Sequence, residues 1–182
     1  MLFRSFLVLG CLAIIAAIKY TMGKKPYGYI GLGDLFVFLF FGLTGVLGTY
    51  FLHTHQMDWE ILLPASTIGL LSTAVLNLNN LRDRENDKSS GKRTLVVKLG
   101  ADKAKLYHTF LLSGALILSL VYCLINFRTP YQFIFLIILP IVISNFIVVW
   151  RHNNPSTLDP ELKKIALGTL LYSISFGFGL II

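Results

Sequence analysis

Long, predominantly apolar runs constrain this chain more than any other feature. A helix needs about 20 apolar residues to cross the hydrocarbon core of a bilayer. Six such runs occur, over residues 2–18, 35–52, 61–78, 106–127, 131–150 and 165–182. In lipid the backbone N–H and C=O groups must be satisfied within the segment, so the runs read as helices rather than open strands. Composition agrees, with 55% of the 182 residues hydrophobic and 14% charged. The expected fold is all-α: a polytopic transmembrane bundle of about six spans, forming one domain over residues 1–182.

The charges supply an orientation. Of the 16 Lys and Arg residues, all but Arg4 and Arg128 fall in the loops after the first, third and fifth runs. The positive-inside rule puts those loops in the cytoplasm and both chain ends on the opposite side. The net charge of +7 is therefore a topological signature. No pattern of stacking aromatics accompanies it, and no nucleic-acid partner is expected. Cys11 and Cys123 each lie alone inside a run and read as small apolar packing residues.

One stretch breaks the apolar monotony. Residues 79–100 read NNLRDRENDKSSGKRTLVVKLG. Ionisable groups beside a bilayer are generally kept for function. If the third helix runs on past the membrane, Asn80, Asp83 and Asp87 share one face at steps of three and four. Two carboxylates one turn apart repel, and a divalent cation between them removes the cost. Oxygen-only donors suit a hard ion such as Mg²⁺, which takes one or two carboxylates plus substrate phosphates. Ser89, Ser90 and Gly91 should end the helix, with Gly91 as a left-handed cap. Lys92 and Arg93 follow, as cations that a diphosphate would require. The spacing alone is weak evidence, because a solvated loop with ordinary surface ion pairs gives the same pattern.

The whole string resembles the second aspartate-rich motif of the UbiA superfamily of membrane prenyltransferases. Within it, the pattern NNxRDxxxDxxxGKRTLxVxLG is similar to that of the branch acting on 1,4-dihydroxy-2-naphthoate in menaquinone synthesis, and every fixed position is present. A second match lies upstream, in Tyr20-Thr21, Pro26-Tyr27-Gly28-Tyr29, Gly31-Leu32-Gly33-Asp34 and Leu35-Phe36-Val37-Phe38. Met22, Lys24 and Lys25 are departures from that segment. The resemblance covers most of residues 18–105; the last three runs match only in character.

The resemblance implies a nine-helix bundle around a cavity, of which these six runs would be helices four to nine. It implies Mg²⁺ held by Asp83 and Asp87, with Lys92 and Arg93 acting on the diphosphate. Asn79, Asn80 and Arg82 would bind substrate, as would Tyr20 and Lys24, four residues apart over the diphosphate. The implied reaction is transfer of a polyprenyl group from polyprenyl diphosphate to dihydroxynaphthoate, with loss of CO₂, giving demethylmenaquinone in a bacterial cytoplasmic membrane. The family's first motif, NDxxDxxxD, has no counterpart here, since the Asn-Asp pair at Asn86-Asp87 belongs to the second. A truncated chain is the expectation, needing a three-helix N-terminal segment as partner beside its substrates and the bilayer. Alternatives are a relative with another acceptor, such as 4-hydroxybenzoate, or a non-catalytic scaffold or transporter subunit.

Smaller features carry expectations of their own. Asp34 reads as an N-cap of the second span, and Asp159 as capping or preceding the last helix. Ser66, Thr73 and Asn77 form a polar stripe along the third span, leading from the charged loop into the membrane or serving helix packing. His53 and His55 beside Asp58 and Glu60 could bind a metal, though a short outer turn explains them better. Gly168, Gly177 and Gly179 should permit close approach of the last helix to a neighbour.

Overall fold

The computed structural model describes residues 2–23, 26–152 and 154–182, with side chains from residue 6 onward. The described residues contain no strand. Helix α1 spans Leu2–Thr21. Helices α2 (Gly33–Thr54), α3 (Trp59–Arg82), α6 (Ala101–Ile125), α7 (Pro130–Arg151) and α8 (Pro155–Ile181) are each long and apolar enough to cross a membrane. The chain is a polytopic integral membrane protein. Five of the six expected spans meet that measure; the described apolar part of α1, residues 6–21, is shorter. Two short helices, α4 (Arg84–Ser89) and α5 (Leu95–Leu99), carry the charged stretch.

Local sequence explains most boundaries. The Asp58 carboxylate accepts from Glu60 N–H at 3.0 Å, opening α3. The Gln132 side chain closes the turn before α7, accepting from Arg128 and Thr129 N–H and donating to Asn126 C=O. Pro130 occupies the first position of α7, where the missing N–H costs nothing. The last helix starts well before the expected residue 165. Asn154 caps Ser156 N–H at 3.1 Å, and Pro155 sets the first turn. The amphipathic turn Leu158–Glu161 therefore folds as helix, with Leu158 and Glu161 buried.

Asp34 does not cap α2. Phe36 N–H already donates to Leu32 C=O at 3.1 Å, so the ladder begins before Asp34 and leaves it inside the first turn. It is buried, and its Oδ1 has no hydrogen-bond partner among the described residues.

Helix α3 is the hub, packing against α2, α6, α8 and α5. Its core positions Leu71, Ala74, Leu78 and Leu81 join Leu111, Leu112 and Ala115 of α6 and Ile165, Tyr172 and Phe176 of α8. Bonds between buried polar groups tie the same helices. Ser119 links Thr67 (3.3 Å) to the Tyr172 hydroxyl (2.9 Å). Two residues of the expected polar stripe are engaged inside the bundle: Thr73 donates to Gly69 C=O within the helix, and Asn77 donates across to Ala104 C=O at 3.2 Å. Sequence reading passed over a buried cluster of His108, Asn145 and Glu161. It joins α6, α7 and α8 through bonds of 2.8 and 2.9 Å, with Lys164 completing it.

Helices α2 and α3 cross at glycine. A Cβ on Gly42 would stand 2.6 Å from Gly69 Cα and 2.7 Å from Ala65 C=O. Around this crossing α2 widens into a π-helical stretch, Phe38–Leu47, and Phe38 also presses on Gly69. Gly179 is similarly tight against Tyr131 C=O, and Gly168 meets Ile141, but Gly177 faces open space. Cys123 is buried as expected, whereas Cys11 is exposed on α1.

Overpacking a close crossing costs about 1–3 kcal/mol. Gly42→Ala should lower the thermal unfolding midpoint in detergent, while Gly10→Ala, which meets nothing within 4 Å, should not. Equal midpoints for the two variants would remove the crossing from the account of stability.

Candidate active site

The backbone ladder does not stop where α3 ends. Asp83 N–H donates to Asn79 C=O at 3.0 Å and Asp87 N–H to Asp83 C=O at 2.8 Å. Only a local bend at Asp83 separates α3 from α4. Asn80, Asp83 and Asp87 thus keep the one-face relation that spacing predicts. Gly91, at φ +78°, ends α4. Gly91 N–H bonds Lys88 C=O and Lys92 N–H bonds Asp87 C=O at 2.8 Å, respectively the 5→2 and 6→1 bonds of a Schellman cap. That reversal returns Lys92 to the acid it follows: Lys92 Nζ donates to Asp87 Oδ1 at 3.0 Å.

The loop between α1 and α2 covers this end as a structured cap. Tyr27 donates its hydroxyl to Ala16 C=O at 2.7 Å. Arg93 N–H bonds Tyr29 C=O at 2.8 Å, and Lys98 Nζ bonds Ile30 C=O at 2.6 Å. The Tyr29 ring lies 5.1 Å beneath Lys92 Nζ, a cation–π distance. The result is a pocket of about 190 Å³ lined by Tyr20, Asn79, Asn80, Asp83, Asp87 and Lys92, together with Thr21, Gly28, Tyr29 and Thr94. A separate apolar groove of about 400 Å³ runs between α2, α3 and α8, and Asn79 lines both.

Six of the residues singled out from sequence therefore meet at one pocket. Three do not. Lys24 lies outside the described residues. Arg93 is exposed and does not line the pocket. Arg82 stands behind it: Nε and Nη2 donate to the two Asp83 oxygens at 2.8 Å each, Nη2 to Asn79 Oδ1, and Nη1 to Asp159 at 2.9 Å. Asp159 is thus an anchor for Arg82 across the bundle, which no local signal in the sequence announces. Tyr29 and Thr94 were legible only as members of the matched motifs. Thr94 also opens α5, accepting from Val97 N–H.

Electrostatics favour the ionised form of Asp83. The Arg82 guanidinium holds the Asp83 carboxyl below the usual carboxylate range. Asp87 raises the Lys92 ammonium above its ordinary value. Two carboxylates on one wall suit Mg²⁺ when substrate phosphates supply further ligands. Among the described residues no group of three or more His, Cys, Asp or Glu side chains is placed to hold a metal, and that applies to His53 and His55. His53 Nδ1 instead bonds Thr49 C=O.

Sequence comparison decides the family. The profile of the UbiA prenyltransferase family matches residues 1–168. The chain belongs to the UbiA prenyltransferase family. It is 48% identical to the 1,4-dihydroxy-2-naphthoate octaprenyltransferase of Haemophilus influenzae and 43% identical to that of Escherichia coli, in each case over 98% of this chain. The enzyme of that name from Mycobacterium tuberculosis is 36% identical over 93% of the chain. The chain spans 58%, 58% and 57% of these relatives' lengths. No solved structure matches it significantly.

The clamp gives a pH signature. A depressed carboxyl adds stability above its unfolded-state value and loses it as pH falls through the folded one. Removing the guanidinium with Arg82→Gln should bring Asp83 back toward the ordinary range. Following the carboxylate stretching band against pH, difference infrared spectra of the variant should show one acid titrating higher than in the parent chain. An unchanged titration would mean that Arg82 does not control Asp83.

Proposed function

We propose that this chain supplies the second aspartate-rich half of a site that transfers a polyprenyl group from polyprenyl diphosphate to 1,4-dihydroxy-2-naphthoate. CO₂ is lost from the ring carbon that is attacked, and demethylmenaquinone is the product. The observation that carries this reading is the pocket itself. Asp83, Asp87 and Lys92 converge there, and Asn79 joins it to an apolar groove. That combination suits a ligand with a charged head and a hydrocarbon tail.

Each residue then has a task. Asp83 and Asp87 would hold Mg²⁺, which when bound supplies positive charge against the departing diphosphate. Lys92, kept charged by Asp87, presents an ammonium to the same phosphates, and Tyr20 covers them from α1. Asn79 and Asn80 offer amide donors at the mouth of the groove. Arg82 keeps Asp83 ionised and oriented, with Asp159 and Asn79 fixing its remaining nitrogens. The apolar walls Val37, Phe41, Val75 and Leu76 would receive the polyprenyl tail and keep water from the allylic cation.

A second carboxylate cluster would come from a three-helix N-terminal segment carrying the family's first motif. The basic loops between α1 and α2, α3 and α6, and α7 and α8 would face the cytoplasm of a bacterial inner membrane. Their mutual contacts at one end of the bundle support that reading. A scaffold or transporter subunit makes no distinctive use of this pocket; an enzyme for another aromatic acceptor would use it for the same prenyl donor, and the preference for dihydroxynaphthoate rests on the relatives at 36–48% identity.

The test is prenyl transfer in membranes, with dihydroxynaphthoate, a polyprenyl diphosphate and Mg²⁺. The chain is assayed alone and co-expressed with such an N-terminal segment. Activity is expected in the co-expressed pair, and Asp83→Ala should reduce it by at least about a hundredfold, on the scale of losing one electrostatic stabiliser of the transition state. Product formation that ignores Asp83→Ala, or none in either preparation, would defeat the proposal.

A further inference from the structure

A second polar pocket opens on the other side of the α3–α4 junction. It holds about 370 Å³ and is lined by Arg82, Arg84, Lys105 and His152, with Glu85 as its acid and Ala101 at the start of α6. It shares no lining residue with the Asp83–Asp87 pocket, and of its lining only Arg82, through its hold on Asp83, has a part in the proposed transfer. We propose that it binds a phosphate group at the membrane surface, that of an anionic phospholipid headgroup or of a free phosphate ion.

Three observations carry the assignment. First, its cations are not equally committed. Arg82 spends its guanidinium on Asp83, Asn79 and Asp159. Arg84 pairs with its own neighbour Glu85, whose side chain is 66% exposed. An exposed adjacent-residue pair contributes little, so an anion can take Arg84 while Glu85 turns to water. Lys105 makes no ion pair among the described residues, and an ammonium so placed lacks an acceptor. His152 donates from Nδ1 to Val149 C=O at 2.6 Å, which fixes its ring at the rim.

Second, α6 begins at this pocket without a side-chain cap at Gly100. The first N–H groups of a helix attract anions. Asp102, in that turn, is exposed, and this electrostatic contribution is secondary to the side chains.

Third, the depth fits a headgroup. Thr109 Oγ1 bonds Lys105 C=O and accepts from Trp150 Nε1 at 3.0 Å. Trp150 therefore sits one turn below Lys105, and it is half exposed, as are Leu106 and Phe110 on α6. A tryptophan at the junction of apolar surface and charge marks a membrane interface. Basic pockets between spans at that level take lipid phosphates.

The test uses the purified chain in a Trp59→Phe background, so that Trp150 is the remaining indole. Quenching of its fluorescence by chain-brominated phosphatidylglycerol is measured against brominated phosphatidylcholine. Inorganic phosphate and diphosphate are titrated separately by thermal shift. Saturable quenching that favours phosphatidylglycerol is expected. Each charge-assisted hydrogen bond lost should cost about tenfold in affinity, so the Arg84→Gln/Lys105→Gln pair should raise the apparent Kd at least that much. Lys103→Gln, an exposed cation outside the pocket, should leave it unchanged. Stabilisation by a free ion that vanishes in the double variant would support the phosphate site and assign it to a soluble ligand. Equal quenching by both lipids without any free-ion response, or equal weakening by Lys103→Gln, would overturn the proposal.

Discussion

The backbone ladder running from α3 through Asp83 into α4 is the constraint on which the polar end of the molecule depends. Because the i→i−4 bonds continue across the bend, Asn79, Asn80, Asp83 and Asp87 inherit the rotational phase of a helix anchored deep in the bundle. Leu71, Ala74, Leu78 and Leu81 set that phase by burial. Packing in the apolar interior therefore decides where the carboxylates point at the surface. A loop of the same composition would leave them to solvent.

Charge is handled at this end by pairing rather than by exposure. Asp87 is 6% exposed, and an isolated carboxylate there would carry a large desolvation cost. Lys92 meets it because the left-handed Gly91 reverses the chain within two residues. Asp83 is more open and takes a bidentate guanidinium, the stronger and more directional kind of ion pair. Arg82 itself is fixed from α8 through Asp159. Two helices distant in sequence, α3 and α8, thus act on one carboxylate through Arg82. A second set of buried polar groups, His108, Asn145 and Glu161, links α6, α7 and α8 below it, and holds the turn of α8 that carries Asp159.

The pocket and the apolar groove touch at a single residue, Asn79. That arrangement sets a charged cavity beside an apolar one, joined through one amide side chain. The Arg84–Lys105 pocket lies behind the same junction, with Arg82 as the wall between the two polar cavities.

The helices, their approximate number and the polar end they share were readable directly. Apolar length and the confinement of Lys and Arg to alternate loops depend on the bilayer, which acts on every residue alike and needs no partner. The share of the pocket that was legible, Asp83, Asp87, Lys92 and the asparagines, came from helical phase and a glycine stop, both local. Other features required the fold. Asp34 was misread as a cap because the helix starts at a carbonyl two residues earlier. Thr73 and Asn77 of α3 proved to be engaged inside the bundle, because backbone carbonyls lay within reach. The roles of Asp159 and His108 exist only through Arg82 and Asn145, 77 and 37 positions away, and Glu161 joins the cluster through Asn145, 16 positions away. Sequence by itself determined which segments are apolar enough to cross a membrane and which stretch carries the charge; the tertiary structure decided which charges meet, because ion pairs and buried hydrogen bonds depend on distances of about 3 Å that helix packing sets.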